Sequence, residues 1–326
     1  MPIDWQPFVE LVRTNDRFVL TTHMRPDCDA LGSCLAMGEA LRNLGKKVQI
    51  VIGDPVPPHV AFIDPDRHVK VLGIDVQADE LKPDVLMVLD TSAWSQLGPM
   101  GDVLKATAAR KVVVDHHVSS DAMGTEDFKD PQAEATGRLV LEAIHALGVA
   151  VTPSMASALF TAIATDTGWF RFSSVSAATY TAVAELVRAG ANPKSIFSLL
   201  YEKNTMARLK LHGMILAHAR EDLGGRLVYS AVTLADFAET GAVATDTEDI
   251  VNRLLSAVGA EVAVLFQEQD GRDIKVSLRS RGKADVRQVA ERFGGGGHSA
   301  AAGVRYTGTL AQAQVAVLDA VRDVLR

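Results

Sequence analysis

Short apolar runs alternate with longer amphipathic stretches through the first two thirds of the chain. Phe18–Thr22 is a brief β-favouring run after a charged turn, Val48–Ile52 is another, and Val85–Leu89 and Val112–Val114 are uniformly apolar. Such runs predict strands, the last two buried on both faces of a parallel sheet. Between and after them, Asp29–Leu44 reads as a helix, with Leu31, Leu35 and Leu41 on one face and Gly45 as its stop. Ala133–Leu147, Ser154–Thr165 and Ala177–Ala189 read likewise. Strands alternating with helices predict a doubly wound α/β domain with a parallel sheet. The pattern changes at Gly190-Ala191-Asn192-Pro193, after which 205–220 reads as one connecting helix. Strands are then expected near 226–232, 261–267 and 273–279, with helices near 284–292 and 309–325. The expected organisation is a domain over 1–190, a mostly helical linker over 191–220 and a smaller α/β domain over 221–326. No internal repeat stands out, and the glycine run 294–297 reads as a loop.

Composition narrows the class. The chain has 326 residues, 48% hydrophobic and 22% charged, which excludes intrinsic disorder. No run approaches the ~18 apolar residues of a membrane span. The start, Met1-Pro2-Ile3-Asp4-Trp5, lacks the basic-then-apolar pattern of a secretory signal. Cys28 and Cys34, six apart, fit neither a disulfide framework nor a zinc spacing and read as small apolar fillers. A cytoplasmic protein away from membranes is expected. The net charge of −7 argues against a protein that tracks long nucleic acid. A local exception spans 272–292, where Arg272, Lys275, Arg279, Arg281, Lys283, Arg287 and Arg292 outweigh Asp273, Asp285 and Glu291 by a net +4. That balance suits a small anionic ligand.

Candidate chemistry clusters at the ends of the expected elements. His23 follows the first strand and opens a segment carrying Asp27 and Asp29; Asp90 ends Val-Leu-Met-Val-Leu-Asp; Asp115 ends Val-Val-Val-Asp and precedes His116 and His117; Asp166 ends a helix. Any one such Asp is better read as a turn or cap residue. Three strands each delivering Asp or His to the edge where open α/β sheets bind ligands point instead to a site. Oxygen and imidazole donors without thiolate favour Mn(II), Mg(II) or Fe(II) over structural zinc. Asp27, Asp29, Asp90 and Asp166 carry four negative charges when ionised, which two divalent cations would balance. In the second domain, successive glycines let the backbone approach an anion, a following helix could aim its N-terminus at it, and His298 adds a donor. Core packing is the expected role of Trp169, Phe170 and Phe172, with base stacking as the alternative.

These motifs resemble the DHH phosphoesterase superfamily, whose four N-terminal motifs occur in order as His23 to Asp29, Asp90, Asp115-His116-His117 and Asp166. The C-terminal segment resembles the first type of DHH-associated domain, through Gly294-Gly295-Gly296-Gly297-His298 and Ala300-Ala301-Ala302-Gly303. Cys28 stands where the family more often has Gly or Ala, and Gly137-Arg138 after Thr136 lies in a more variable segment from which no expectation is drawn. The resemblance implies two metal ions, most readily Mn(II). One would be held by His23, Asp27 and Asp90, the other by Asp29, Asp90, His116 and Asp166. Asp115 would orient its neighbours and His117 would face the substrate. Arg279, Ser280, Gly295, Gly296, Gly297 and His298 would hold a substrate phosphate, and the active site would lie in the interdomain cleft. Length and layout are most similar to members that cut RNA or DNA fragments of about two to five nucleotides to mononucleotides. Those members also dephosphorylate adenosine 3′,5′-bisphosphate (pAp). A homodimer is an expectation of the same kind. The rival readings are a cyclic- or linear-dinucleotide phosphodiesterase, a family II pyrophosphatase, a long-strand exonuclease and a non-catalytic nucleotide sensor.

Overall fold

The computed structural model describes residues 3–118, 120–269, 271 and 273–326; Met1, Pro2 and Arg272, used in the reading above, lie outside the described residues. The chain divides into two compact units, Met1–Lys203 and Asn204–Arg326.

The first unit runs α1 (Gln6–Thr14), β1 (Arg17–Thr21), α2 (Cys28–Asn43), β2 (Lys47–Ile52), β3 (Val69–Val71), β4 (Val85–Leu89), α3 (Pro99–Ala106), β5 (Arg110–Asp115), β6 (Glu126–Lys129), α4 (Thr136–Ala146), α5 (Pro153–Asp166), α6 (Ala177–Arg188) and α7 (Pro193–Tyr201). Its six strands are all parallel, in the order β3-β2-β1-β4-β5-β6. Alternate residues serve opposite faces. Phe18, Leu20, Val85, Met87, Leu89, Val112 and Val114 enter one core with residues of α2, α4 and α5. Val19, Leu86, Val88 and Val113 enter another with Met100 and Leu104 of α3. Both faces are covered, which is why these strands carry almost no polar alternation. Strand order reverses between β1 and β4. At such a switch the connections leave toward opposite faces and open a crevice beyond the carboxyl ends of the strands.

The second unit runs α8 (Met206–Ala217), β7 (Arg220–Asp222), β8 (Leu227–Val232), α9 (Leu234–Thr240), α10 (Ile250–Leu255), β9 (Val262–Glu268), β10 (Asp273–Ser280), α11 (Val286–Glu291), β11 (Gly296–His298), β12 (Ala301–Thr307) and α12 (Leu310–Leu325). Its mixed sheet has the order β11-β12-β10-β9-β8-β7, with β8 and β9 parallel and the other neighbours antiparallel. Ile274, Val276 and Leu278 pack with α11 and α12 on one face. Ala263 and Leu265 pack with Leu211 of α8 and Leu254 of α10 on the other.

The structure differs from the expectations in three respects. The segment 191–220 is no single linker: the chain divides between Lys203 and Asn204, Ile196 of α7 joins the first core, and Leu211 and Ile215 of α8 join a core of the second unit. The glycine run is not followed by a helix; Gly296–His298 form β11, which pairs antiparallel with β12. β3 and β6 escape the apolar pattern because they are short edge strands, and only Phe128 of Glu126–Lys129 is buried. Among the described residues no helix is long and apolar enough to cross a membrane. Cys28 and Cys34 are buried free thiols.

Candidate metal centre

The carboxyl ends of β1, β4 and β5 bring His23, Asp90 and Asp115-His116-His117 to one edge of the sheet, and the end of α5 brings Asp166. Asp27 and Asp29 flank the start of α2, where Asp27 is the N-cap and accepts the Ala30 N–H at 3.0 Å. Asp90 has φ 63°, in the left-handed region that Asp tolerates better than most residues. Its N–H still donates to Val114 O at 3.0 Å, so the turn remains tied to β5.

Two imidazoles are oriented by backbone carbonyls. A carbonyl only accepts, so Nδ1 of His23 donates to Met24 O at 2.9 Å and Nδ1 of His116 donates to Ala133 O at 3.1 Å. Each Nε2 therefore faces carboxylates. His23 Nε2 lies 3.5 Å from Asp90 Oδ2 and 4.0 Å from Asp27 Oδ1. His116 Nε2 lies 3.5 Å from Asp166 Oδ2, 3.7 Å from Asp90 Oδ1 and 3.9 Å from Asp29 Oδ2. These separations are long for hydrogen bonds and match donors that share a cation bonded to each at ~2.0–2.2 Å. Among the described residues, three trios have ligand atoms within 4.8 Å of one another: His23, Asp27 and Asp90; Asp29, His116 and Asp166; Asp90, His116 and His117. These groups could hold metal ions, and the donor set fits hard divalent cations.

The protonation pattern of the side chains alone reflects the same crowding. Burial, then Asp90, Asp166 and Asp27, push Asp29 well above the ordinary carboxylate range, against the pull of the Gly137 N–H. Burial raises Asp166 to about 6; His116 opposes this and Asp90 and Asp27 add to it. Burial pulls the His23 imidazole down, but Asp90, Met24 O and Asp27 overcome it and carry the group to about 9. A cation among these groups would displace the protons they retain.

Asp115 stands apart from the trios. Its Oδ2 accepts from Ser92 Oγ at 2.6 Å and Lys129 Nζ at 3.1 Å, and its Oδ1 accepts from His117 N at 3.1 Å and His117 Nδ1 at 2.7 Å. Burial opposes its charge, yet the bonds from His117 and Ser92 hold it well below the usual range. The ionised carboxylate makes His117 Nδ1 the donor, raises that imidazole, and leaves Nε2 of a half-exposed ring free of this contact.

Sequence reasoning missed four supporting residues. Thr136 N and Gly137 N, the first donors of α4, each reach an Asp29 oxygen at 2.8 Å, and Thr136 Oγ1 donates to Asp90 Oδ1 at 2.8 Å. The Thr-Gly pair opening an apolar helix was the available signal. Ser92 and Lys129 carried none, because both lie in polar segments that read as loop.

In the second unit, Arg279 of β10 and His298 of β11 are both in register with Ala301 of β12, so they lie in one row on one sheet face, two strands apart. Gly295 is required where it stands, since a Cβ would lie 2.2 Å from Gly303 O; Gly297 has φ 142° and would meet Ala301 O at 2.4 Å. Gly296 and His298 are exposed. Ser280 falls on the opposite, core face, where its Oγ accepts from Gly282 N at 3.0 Å. The basic segment is not one patch: Arg287 pairs with Asp285 and Arg292 with Asp323.

Residues 17–163 match the DHH family N-terminal domain and residues 224–326 match the DHHA1 domain. The chain is 31% identical over 313 residues to the bifunctional oligoribonuclease and PAP phosphatase NrnA of Thermus thermophilus, covering 94% of this chain and 89% of that one. It is 26% identical over 303 residues to the protein of the same name from Bacillus subtilis, covering 90% and 91%. The crystal structure of an exopolyphosphatase-related protein from Bacteroides fragilis superposes with a TM-score of 0.85 at 25% identity, covering 98% of this chain and 95% of that one. With both family domains in order and close relatives along nearly its whole length, the chain belongs to the DHH family and carries a C-terminal DHHA1 domain.

Proposed function

We propose that the protein is a cytoplasmic phosphoesterase dependent on two divalent cations, Mn(II) foremost. It hydrolyses oligonucleotides of about two to five residues to mononucleotides and dephosphorylates pAp. The observation that carries this reading is the pair of trios on either side of Asp90, with each imidazole Nε2 fixed toward carboxylates at 3.5–4.0 Å. His23, Asp27 and Asp90 would hold one ion; Asp29, Asp90, His116 and Asp166 the other. Such ions supply Lewis acidity toward a phosphoryl oxygen and toward the attacking water. The rest of the chemistry belongs to the chain. Asp115, anchored by Ser92 and Lys129, fixes the His117 tautomer and favours its imidazolium, so that Nε2 can give a proton to the phosphoryl or leaving oxygen. Thr136 and Gly137 hold Asp29 and Asp90 in place. Arg279 as a charged donor and His298 as a hydrogen-bond donor would grip a substrate phosphate, with the glycine backbone beside them. The names of the Thermus and Bacillus relatives support the substrate class.

The test is a panel of dinucleotide, 24-mer, pAp, cyclic di-AMP and pyrophosphate with the Mn(II)-loaded and chelator-stripped protein, alongside Asp90→Ala. We expect turnover of the dinucleotide and pAp that requires metal, and a metal content in Asp90→Ala well below about two per chain. Full activity without metal, or equal efficiency on the 24-mer, would refute the reading.

A further inference from the structure

We infer that Phe172 is a stacking platform for a nucleobase of the substrate; this rests on the phosphoesterase reading above. The segment that carries it begins one residue after Asp166. Gly168, Trp169 and Phe170 have φ of 57°, 59° and 63°, three successive residues in the left-handed region. For Trp and Phe that backbone is strained by roughly 1–2 kcal/mol per residue, and strain of this kind collects at functional sites. The turn is held by local bonds: Trp169 N donates to Ala164 O at 2.6 Å, Phe170 N to Thr167 Oγ1 at 3.1 Å, and Arg171 N and Phe172 N to Thr167 O at 3.0 and 3.1 Å.

The turn sorts its aromatic rings. Trp169 meets Phe160, Phe197 and Tyr201 edge-on, and Phe170 meets Phe160 and Tyr180. Both are half-buried against the first-unit core. Phe172 is different. It is 55% exposed, and among the described residues its ring meets no other aromatic ring. Its ring instead lies against Gly168, with Cε1 and Cζ 2.5 Å from the point where a Cβ would stand. One side of the ring is thus backed by backbone only two residues past Asp166, and much of the ring is left to solvent. Consecutive Cα atoms are 3.8 Å apart, so Gly168 is at most about 7.6 Å from Asp166 along the chain. A nucleotide whose phosphate meets Asp166 and its neighbours has its base one ribose away, a short step from this ring. Stacking of a base on an exposed aromatic is sequence-tolerant, which suits a hydrolase of short oligonucleotides of mixed sequence.

The experiment compares a diadenylate with its abasic analogue, ribose in place of both nucleosides, on the Mn(II)-loaded protein and on Phe172→Ala, Phe172→Leu and Phe172→Trp. A base–aromatic stack is worth ~1–3 kcal/mol, so the ratio of kcat/KM for diadenylate over the abasic analogue should fall about 5- to 150-fold in Phe172→Ala. The fall should lie mainly in KM. Phe172→Trp should restore the ratio and Phe172→Leu should restore it only in part, which a purely structural ring would not do. A ratio unchanged in Phe172→Ala, or restored equally by Leu and Trp, overturns the inference while leaving the phosphoesterase reading intact. Wild-type protein that hydrolyses neither substrate overturns both.

Discussion

Gly137→Ala offers a direct test of how the site is built. Gly137 is the second residue of α4, and its N–H donates to Asp29 Oδ1 at 2.8 Å. A Cβ there would stand 2.7 Å from the Cβ of Ala162 on α5 and 3.2 Å from Asp29 Oδ1. Two carbons rest at about 3.5–4.0 Å, so α4 and α5 must move apart by roughly 1 Å. Ala162 is fully buried and has no flexible end to swing aside. Overpacking of this kind costs about 1–3 kcal/mol, against a helix-propensity gain of at most about 1 kcal/mol. The net loss, up to about 3 kcal/mol, should lower Tm by up to about 12 °C for a unit of this size. The larger effect falls on the site. Displacing Asp29 from its donor should weaken Mn(II) binding about 10- to 100-fold, as removal of groups that support metal ligands does. Gly213 is the control: it lies mid-helix in α8, and a Cβ there meets nothing within 4 Å. Gly213→Ala should raise stability by up to about 1 kcal/mol and leave Mn(II) affinity alone. The assay is thermal unfolding with calorimetric Mn(II) titration of both variants. If Gly137→Ala behaves like Gly213→Ala, the claim that α4 and α5 are spaced by this glycine to clasp Asp29 is wrong.

Three further outcomes are expected. Asp166, raised to about 6, and His23, raised to about 9, both bind a proton more tightly folded than unfolded. The stability each contributes, of the order of 3 kcal/mol, is therefore lost as pH rises, from about 4 to 6 for Asp166 and from about 6.5 to 9 for His23. Chelator-stripped protein should lose Tm across that span, and the gain in Tm on adding Mn(II) should grow with pH; a gain that shrinks would contradict the assignment. His298→Ala should keep its metal content and lose about 10- to 150-fold in kcat/KM for a dinucleotide, the worth of a hydrogen bond to a charged group. Asp27→Ala should lose metal, and elemental analysis with kinetics of both variants would expose an exchange of these roles.

Much of the first unit was legible because its central strands are buried on both faces. Val85–Leu89 has five apolar residues in a row, and no solvated helix or loop accommodates that pattern. The first polar groups at the sheet edge were legible for a related reason: His23, Asp90 and Asp115 stand at the ends of β-favouring or apolar runs, whereas Asp27 and Asp29 follow Arg25-Pro26 and were picked out by their motif. What stayed hidden was everything set by packing across distant segments. The sequence around Thr136 shows a plausible helix start near Ala133, but Ala135 is extended and α4 begins at Thr136, so that its first N–H groups reach Asp29, more than a hundred residues earlier. β12, Ala301–Thr307, opens with Ala-Ala-Gly, and the expectation of a helix after the glycine run hid the strand whose register aligns Arg279 with His298. Ser280 was assigned with Arg279 from the resemblance, yet strand alternation sends neighbours to opposite faces.

The placement of α4 also bears on how four carboxylates can converge in a folded chain. Asp29 is fully buried beside Asp90, with Asp166 close by, an arrangement that would repel strongly in water and more so in a protein interior. Two features of the chain oppose that repulsion without any cation. The N-terminus of α4 points two N–H groups at Asp29, adding the positive end of the helix dipole to two hydrogen bonds. His23 and His116 each turn a protonatable nitrogen toward the remaining carboxylates. Protons on His23 and Asp29, and on Asp166 below about pH 6, reduce the same repulsion. If a divalent cation binds here, it would enter a frame in which the α4 N-terminus already holds Asp29, and its binding would release the protons that His23 and Asp29 retain.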